Sequence, residues 1–315
     1  MKQLEALLED DTAGNPISGV KWTRKSLRIL SQALGSNGYH ACVNTVRRLL
    51  KQLEFSLRVN QKELAGQPHP QRDEQFEYIA AQKAVFRAMG WPILSVDAKK
   101  KELIGWFKNP GRTWRQQPIA VNIYDFPQDA IGKAVPYGVY DVIRNEGVIF
   151  VGTSADTAQF AVECIAAWCQ EEGRTHYPQA PAVLILCDGG GSNGHRSRLW
   201  KQQLQQEIAD RLGLTVIVCH YPRGASKWNP IEHRVFSLIS INWAGQPLTS
   251  YETVIHYIET TRSETGLSLR AVLVEKIYKT GIKVPDTEME ALNLIRHPIC
   301  PQWSYTITPR IVVGH

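Results

Sequence analysis

Three acidic residues of the sequence stand where carboxylates can act together on one substrate. Asp97 and Asp188 each follow a short apolar run, Ile93–Val96 and Ala182–Cys187, and Glu232 falls in the first turn of a predicted helix. Carboxylate oxygens are the ligands that Mg²⁺ prefers, and two such ions about 4 Å apart can serve the attacking and leaving oxygens of a phosphodiester. The pattern therefore predicts a site for two Mg²⁺ or Mn²⁺ ions, with Asp97, Asp188 and Glu232 as catalytic residues and metal ligands.

Each of these acids also has a purely structural interpretation. Asp97 could cap the turn that leads into residues 98–101, and Asp188 could be an ordinary turn residue before Gly189. Glu232 lies where an acid supports a helix N-terminus in any protein. The catalytic hypothesis therefore rests on the three residues taken together with the order of the strands.

The elements that must position these acids follow from hydrophobic spacing. Adjacent strands come first, and buried strands then alternate with helices, which is the order of an RNase H-like fold. We expect an α/β domain with a mixed five-stranded sheet flanked by helices. The predicted strands are 93–96, 102–108, 137–143, 148–153, 182–187 and 215–219, and the predicted helices are 157–170 (capped by Asp156), 196–212, 230–243 (capped by Asn229) and 251–261.

The segment before this domain is strongly basic. Nine Lys or Arg residues and one acid lie between Lys21 and Lys62, a net charge of +8. Apolar spacing predicts helices at 23–34, with Thr23 as N-cap, and at 43–53, whereas residues 1–20 are predicted to be a frayed start. Two helices joined by a Gly-containing turn favour a small helix-turn-helix-like domain that contacts DNA through Arg47, Arg48 and Lys51. A helical hairpin with a solvated charged face is the structural alternative.

The domain boundaries are expected at changes of composition. We predict a helix-turn-helix-like DNA-binding region at 1–66, a linker and connecting helix at 67–90, an RNase H-like catalytic domain at 91–280 and a C-terminal extension at 281–315. The prolines of this extension suggest a tail that lies over the catalytic domain.

Other basic residues lie near the predicted acids. Lys99, Lys100 and Lys101 follow Asp97, while Lys227 and Arg234 flank Glu232. All five are candidate contacts for DNA phosphates, and Trp228 could stack on a base or anchor the core. For the three consecutive lysines, a solvated strand edge is an equally good interpretation.

Alternative chemistries have weaker support. Gly189–Gly194 matches G-x-G-x-x-G between a strand and a helix, but no acid ends the next strand as dinucleotide binding requires, so no nucleotide cofactor is expected. Ser192, His195 and His220 lack the G-x-S-x-G elbow of a hydrolase. Six scattered cysteines form no C-x-x-C pair. No apolar run approaches the length of a membrane helix, and the N-terminus lacks a signal-peptide core, so we expect a cytoplasmic protein without a membrane partner.

Five segments closely resemble the Rhodopirellula-type DDE transposase family of bacterial insertion sequences. They are Val96–Glu102, Pro136–Asp141, Asp188–Asn193, Ser226–Arg234 and Trp303–Pro309, and the likeness extends from about Ser18 to Arg310. The resemblance implies a DNA transposase that cuts element ends and joins them to target DNA, acting as a homo-oligomer in the bacterial nucleoid. By motif position, the family's Asp, Asp and Glu fall on Asp97, Asp188 and Glu232.

The sequence departs from the family pattern at three positions and at its start. Ala98, Arg223 and Ala225 stand where Thr, Pro and Thr are usual, and family members have further N-terminal sequence. All three catalytic carboxylates are present, so the substitutions do not imply inactivity, whereas the shorter start suggests a shortened copy. The alternative hypothesis is therefore a catalytically inactive or truncated transposase-derived DNA-binding protein.

Overall fold

In a computed structural model, the chain divides into two compact units, Met1–Leu64 and Ala65–His315. The structure describes residues 2–11, 13–14, 21–23, 25–57, 69–222, 224–225 and 228–310. No helix in these described ranges is both long enough and apolar enough to cross a membrane.

The N-terminal unit is built around three helices and a short antiparallel strand pair. In chain order these are α1 (Lys2–Asp11), β1 (Ala13–Gly14), β2 (Lys21–Trp22), α2 (Leu27–Ser36) and α3 (Val43–Gln52).

The core of this unit explains its helices. Leu4 and Leu8 of α1 pack with Leu30 and Leu34 of α2 and with Val46 of α3. The prediction that residues 1–20 are a frayed start is therefore wrong for residues 2–11, because the i, i+4 spacing of the two leucines gives α1 an apolar face to bury. The two predicted helices α2 and α3 are present.

The start of α2 differs from the prediction. Ser26, not Thr23, is its N-cap, since Oγ of Ser26 accepts the hydrogen bond of the Ile29 N–H over 3.3 Å. The Thr23 hydroxyl instead accepts the Lys25 N–H.

The second unit contains the large sheet. Its helices are α4 (Arg72–Met89), α5 (Ala158–Trp168), α6 (Arg174–His176), α7 (Arg198–Gln203), α8 (Ser237–Asn242), α9 (Tyr251–Glu259) and α10 (Asp286–Glu290). Its strands are β3 (Ile93–Ala98), β4 (Glu102–Ile104), β5 (Gly132–Asp141), β6 (Glu146–Gly152), β7 (Ala182–Cys187), β8 (Thr215–His220), β9 (Ser268–Val274), β10 (Leu294–Arg296) and β11 (Ser304–Ile307). Wider π-helical segments continue α5 at Cys169–Gly173, continue α7 at Leu204–Asp210 and precede α8 at Glu232–Phe236.

The order of the strands is that of an RNase H-like fold. The five central strands lie in the order β8-β7-β3-β5-β6, with β5 antiparallel to β3 and β6, and with β3, β7 and β8 mutually parallel. The predicted mixed α/β sheet is confirmed. It is wider than five strands, because β9 extends one edge beside β6, β11 and β10 extend the other beside β8, and β4 pairs with β5.

Helices cover both faces of this sheet. Phe160 and Ile165 of α5 pack on one face together with Trp200 of α7. Ile79 of α4 and Ile258 of α9 pack on the other face. Burial on both sides explains why β7 and β8 are continuous apolar runs rather than alternating ones.

The strand predicted at residues 102–108 is shorter in the structure. Only Glu102–Ile104 pair as a strand, with β5. Gly105 has a φ of +147°, and its N–H donates to the carbonyl of Leu248, so the chain leaves the sheet there. It returns at Gly132.

The C-terminal segment belongs to the sheet rather than lying over it as a tail. Strand β11 pairs antiparallel with β8, and the buried Tyr305 hydroxyl accepts the hydrogen bond of Trp200 Nε1 over 2.8 Å. The pairing closes an edge of the sheet that would otherwise present unpaired backbone groups.

Candidate active site

Asp97 and Asp188 lie side by side at the carboxyl ends of the central strands β3 and β7. Strands β3 and β7 are parallel neighbours with Ser95 opposite Leu186, so the same register continued for two residues brings Asp97 level with Asp188. Hydrogen bonds from backbone N–H groups one or two residues further along the chain orient both carboxylates. Oδ1 of Asp97 accepts the N–H of Ala98 over 2.8 Å, and Oδ1 of Asp188 accepts the N–H of Gly190 over 3.3 Å.

Glu232 lies in a helical segment that packs on the face of the sheet to which Ser95 and Asp97 belong. It begins the π-helical segment Glu232–Phe236, and it lines the same cavity as Asp97. Contrary to the prediction, the Asn229 side chain does not cap the helix. That side chain instead accepts the Ser95 hydroxyl and donates to the Val96 carbonyl, which ties the start of this segment to β3.

The three carboxylates share one open cavity of about 520 Å³. Its wall comes from the end of β3, the loop after β7, the loop before α5 and the start of the segment that carries Glu232. The residues of this carboxylate cavity are Asp97, Ala98, Lys99, Lys100, Lys101, Asp156, Asp188, Gly190, Gly191, Ser192 and Glu232.

Burial and mutual repulsion disfavour negative charge in this cavity. Burial is the largest cause that raises the pKa of Asp97 well above its usual range, followed by the Asp188 carboxylate and by the hydrogen bond and charge of Glu232. Burial likewise raises the pKa of Asp188, although the Gly190 N–H opposes the shift. Without a metal, it is therefore unfavourable for the three carboxyl groups to be ionised at the same time. A bound cation would offset this electrostatic penalty.

The donor set fits a hard divalent cation in its chemistry. All the candidate ligands are carboxylates, which suit Mg²⁺ or Mn²⁺. Within the part of the chain that the structure describes, however, no group of three His, Cys, Asp or Glu side chains is arranged as a ready metal site.

The glycine run Gly189–Gly194 forms part of this cavity wall. Gly191 has a φ of +59°, which a residue with a side chain adopts only with strain. The next turn is held at Asn193, whose Oδ1 accepts the Tyr137 hydroxyl over 2.7 Å and whose carbonyl lies 2.8 Å from Nε2 of His220. His220 is fully buried and serves as a support for this loop.

The three consecutive lysines after Asp97 differ from one another. Lys99 is nearly buried, with its ammonium 3.2 Å from Glu102 and 4.4 Å from the centre of the Trp243 ring. Lys100 and Lys101 are exposed on the cavity wall, where a phosphate could reach them.

The other predicted DNA contacts lie outside the cavity. Arg234 is exposed and acts electrostatically on Lys83 of α4, while Lys227 lies outside the described residues. Trp228 is 55% exposed and meets the ring of Phe76 edge-on. In the N-terminal unit, the predicted contacts are exposed side chains of α3, namely Arg47, Arg48 and Lys51.

The sequence prediction missed one acid of the cavity. Asp156 was interpreted as the cap of α5, but Thr157 is the N-cap, because its Oγ1 accepts the Phe160 N–H over 3.2 Å. Asp156 instead lines the carboxylate cavity, and its Oδ1 is buried without a hydrogen-bond partner among the described residues. The one available signal was the Asp-Thr pair, in which either residue can cap.

Comparison with known proteins gives one family match. The family described as the Rhodopirellula transposase DDE domain matches residues 3–309. No curated protein matches the sequence.

The chain is also similar to solved structures of one transposase. These are the Mos1 transposase paired-end complex with left transposon end (16% identity, TM-score 0.44), the Mos1 mariner paired end complex with Mn (16%, 0.45) and the Mos1 Strand Transfer Complex (18%, 0.45). Each likeness covers 82% of this chain, and 69%, 69% and 68% of the compared chains, respectively.

Proposed function

The chain belongs to the Rhodopirellula transposase DDE family, and from that premise we propose that it is a DNA transposase whose catalytic residues are Asp97, Asp188 and Glu232. The reaction has two steps. Water cleaves a phosphodiester at an element end, and the freed 3′-hydroxyl then attacks a phosphodiester of target DNA.

One observation carries this proposal. Asp97 lies near the end of β3, Asp188 directly follows the parallel neighbour β7, and Glu232 lines the same open cavity. Three carboxylates that repel one another beside the carboxyl ends of β3 and β7 lower the stability of the fold. Their presence in one cavity therefore supports a functional role for them. The cavity is open to the surface, which suits a polymer that must enter from the side.

The residues of the cavity have distinct roles in this proposal. Asp97, Asp188 and Glu232 would hold two Mg²⁺ or Mn²⁺ ions. When bound, such ions supply Lewis acidity at the attacking and leaving oxygens of the phosphodiester. Lys100 and Lys101 attract the flanking phosphates, and the glycines at 190 and 191 let the DNA backbone approach without a side chain in its way.

Binding of the element ends is assigned to the N-terminal region, residues 1–66. Helix α3 presents Arg47, Arg48 and Lys51 to solvent, and phosphate contacts by such side chains supply sequence-independent affinity. Because a transposase must handle two element ends together, we expect the protein to act as a homo-oligomer on DNA.

The decisive experiment is metal-dependent cleavage of a DNA duplex that carries the sequences flanking the gene. The full chain should nick this duplex with Mg²⁺ or Mn²⁺ and fail to do so in EDTA. Asp188→Asn should lower the rate more than about 100-fold, because even outer partners of metal ligands cost 10–100-fold. Asp129→Asn, an exposed acid outside the cavity, should leave the rate unchanged.

Two other results would change the assignment. Equal cleavage by the wild type and by Asp188→Asn would mean that another centre or a contaminant does the chemistry. DNA binding without any metal-dependent cleavage would favour the inactive, transposase-derived DNA-binding protein instead.

A further inference from the structure

Two polar atoms in the wall of the carboxylate cavity are buried without hydrogen-bond partners among the described residues. They are Oδ1 of Asp156 and Oγ of Ser192. Buried polar atoms in folded proteins nearly always have a partner, and an orphan costs free energy. Two such atoms on the wall of one cavity indicate that a bound ligand supplies their hydrogen-bond partners.

The Asp156 side chain does not cap α5. Thr157 caps α5, so the Asp156 carboxylate does not have the capping role that its place in the sequence suggests. It lies near the other acids of the site. Both Asp97 and Asp156 are close enough to add to the rise in the pKa of the buried Tyr137, which is caused first by burial and then by Cys187 and Cys164.

Ser192 is held rigidly and is only 7% exposed. It belongs to the single turn Gly191–Asn193, which the Tyr137 hydroxyl and the His220 ring fix through Asn193. These bonds fix the turn that carries Ser192, and its burial keeps the hydroxyl at the cavity wall, where its Oγ has no partner among the described residues.

The chemistry of the two atoms defines their partner. An ionised carboxylate only accepts hydrogen bonds, and a hydroxyl can accept as well as donate. The missing partner is therefore a donor. In a cavity of carboxylates, the donor that fits is water bound to a divalent cation, because Mg²⁺ keeps several of its waters in protein sites.

We propose that Asp156 and Ser192 form an outer shell that accepts hydrogen bonds from the water ligands of a divalent cation held by Asp97, Asp188 and Glu232. This inference rests on the proposed function for the identity of the three ligands. It adds two positioning residues. Outer partners of this kind orient the inner ligands and strengthen metal binding.

The test is a titration of the full chain with Mn²⁺ in the absence of DNA, in which the electron paramagnetic resonance signal of free Mn²⁺ reports binding. Asp156→Asn should raise the dissociation constant about 10-fold, and Ser192→Ala should raise it by a smaller factor. The matched control is Thr157→Ala, which removes the true cap of α5 beside Asp156. It should lower the melting temperature without changing the Mn²⁺ affinity.

A second readout separates this role from a structural one. In EDTA, Asp156→Asn and Ser192→Ala should melt no lower than the wild type. Ser192→Ala removes an unsatisfied buried atom, and Asp156→Asn removes a carboxylate from a cavity already lined by three others. With saturating Mn²⁺, both should gain less in melting temperature than the wild type does. A variant that melts lower in EDTA and binds Mn²⁺ as the wild type does would overturn the proposal, since its side chain would then be structural.

The failures of the two proposals are distinguishable. If Asp188→Asn loses Mn²⁺ binding while Asp156→Asn and Ser192→Ala keep it, the outer shell is wrong and the proposed function stands. A wild type that nicks DNA but takes up no Mn²⁺ by itself also overturns only the outer shell. If Asp188→Asn binds Mn²⁺ like the wild type, the assignment of the inner ligands fails first.

Discussion

The Ser95 hydroxyl donates a hydrogen bond of 2.5 Å to Oδ1 of Asn229, and both residues are fully buried. Ser95 lies two residues before Asp97 on β3, and Asn229 lies three residues before Glu232. The same hydroxyl accepts the N–H of Ile231 over 3.0 Å. This contact therefore fixes the distance between the strand of one proposed catalytic acid and the segment of another.

Loss of this contact should harm both stability and cleavage. Asn229→Ala leaves the buried Ser95 hydroxyl without its acceptor and removes a donor from the Val96 carbonyl, so the free energy of unfolding should fall by about 1–3 kcal/mol. DNA cleavage should fall further than this stability loss explains, because Glu232 is no longer held to β3. Urea unfolding and the cleavage assay measure the two effects.

The matched control is another asparagine that binds a backbone carbonyl. Asn242 of α8 donates to Tyr257 over 2.7 Å and lies outside the cavity. Asn242→Ala should leave cleavage unchanged under conditions in which the protein is folded. If the two variants cleave equally well, the Ser95–Asn229 contact does not position Glu232.

A second prediction concerns the pH dependence of stability through His220. Burial lowers the pKa of His220 to about 4, against an ordinary value of 6.5. Below pH 6.5 the unfolded chain takes up a proton that the folded state refuses, so stability should fall as the pH drops from about 6.5 to about 4. The contribution of this one residue is on the order of 3 kcal/mol.

The comparison of wild type with His220→Gln by urea unfolding at several pH values isolates this effect. The variant keeps a side-chain N–H for the Asn193 carbonyl but does not titrate, so its stability should fall less over the same interval. Both ring nitrogens of His220 lie near backbone carbonyls, those of Asn193 and Trp303. Equal slopes for the two proteins would mean that the ring stays protonated and donates to both, contrary to the prediction.

The positions of the three proposed catalytic acids could be predicted because local pattern and topology agree. Asp97 and Asp188 end apolar runs, and the order of strands and helices makes those runs parallel neighbours. Asp156 could not be found in this way. An acid before a helix is ordinarily a cap, and only the hydrogen bond of the Thr157 hydroxyl reveals that the neighbouring residue has taken that role.

The outer parts of the sheet were hidden for a different reason. Strand β11 is short, and it is a strand because it pairs with β8 rather than because of its own periodicity. At the register pair Ser304 and Cys219, β8 lies 85 residues earlier in the chain. The early end of β4 likewise depends on a φ of +147° at Gly105 and on a bond to the distant Leu248. Such tertiary contacts leave no local signal in the sequence.

A third prediction separates the lysines that follow Asp97. Lys99 stacks on Trp243 and pairs with Glu102 in a nearly buried position, so Lys99→Met should lower the free energy of unfolding by about 1–2 kcal/mol. Lys100→Ala and Lys101→Ala should leave stability unchanged. Each should instead weaken DNA binding and reduce the slope of log affinity against log salt by about 1.

These lysine variants can be compared in one series of salt titrations by fluorescence anisotropy. A single variant should alter either the unfolding curve or the salt slope, but not both. The prediction fails if Lys99→Met lowers the salt slope as much as Lys100→Ala, because the Lys99 ammonium would then reach DNA rather than hold Trp243.

A fourth prediction concerns the basic face of α3. Arg47 and Lys51 are one helical turn apart and line the same groove of the N-terminal unit, with Lys25 on its wall, whereas Arg48 does not line it. Arg47→Ala combined with Lys51→Ala should lower the salt slope of DNA binding by about 2, and by similar amounts for unrelated sequences. Arg28→Ala is the control, since it removes the same kind of charge from an exposed position of α2 that does not line the groove. If it weakens binding as much as the double variant does, the attraction depends on the summed charge of the N-terminal unit and not on the groove. An unchanged slope for both variants would remove the N-terminal unit from the DNA interface and leave the carboxylate cavity with Lys100 and Lys101 as the principal contact.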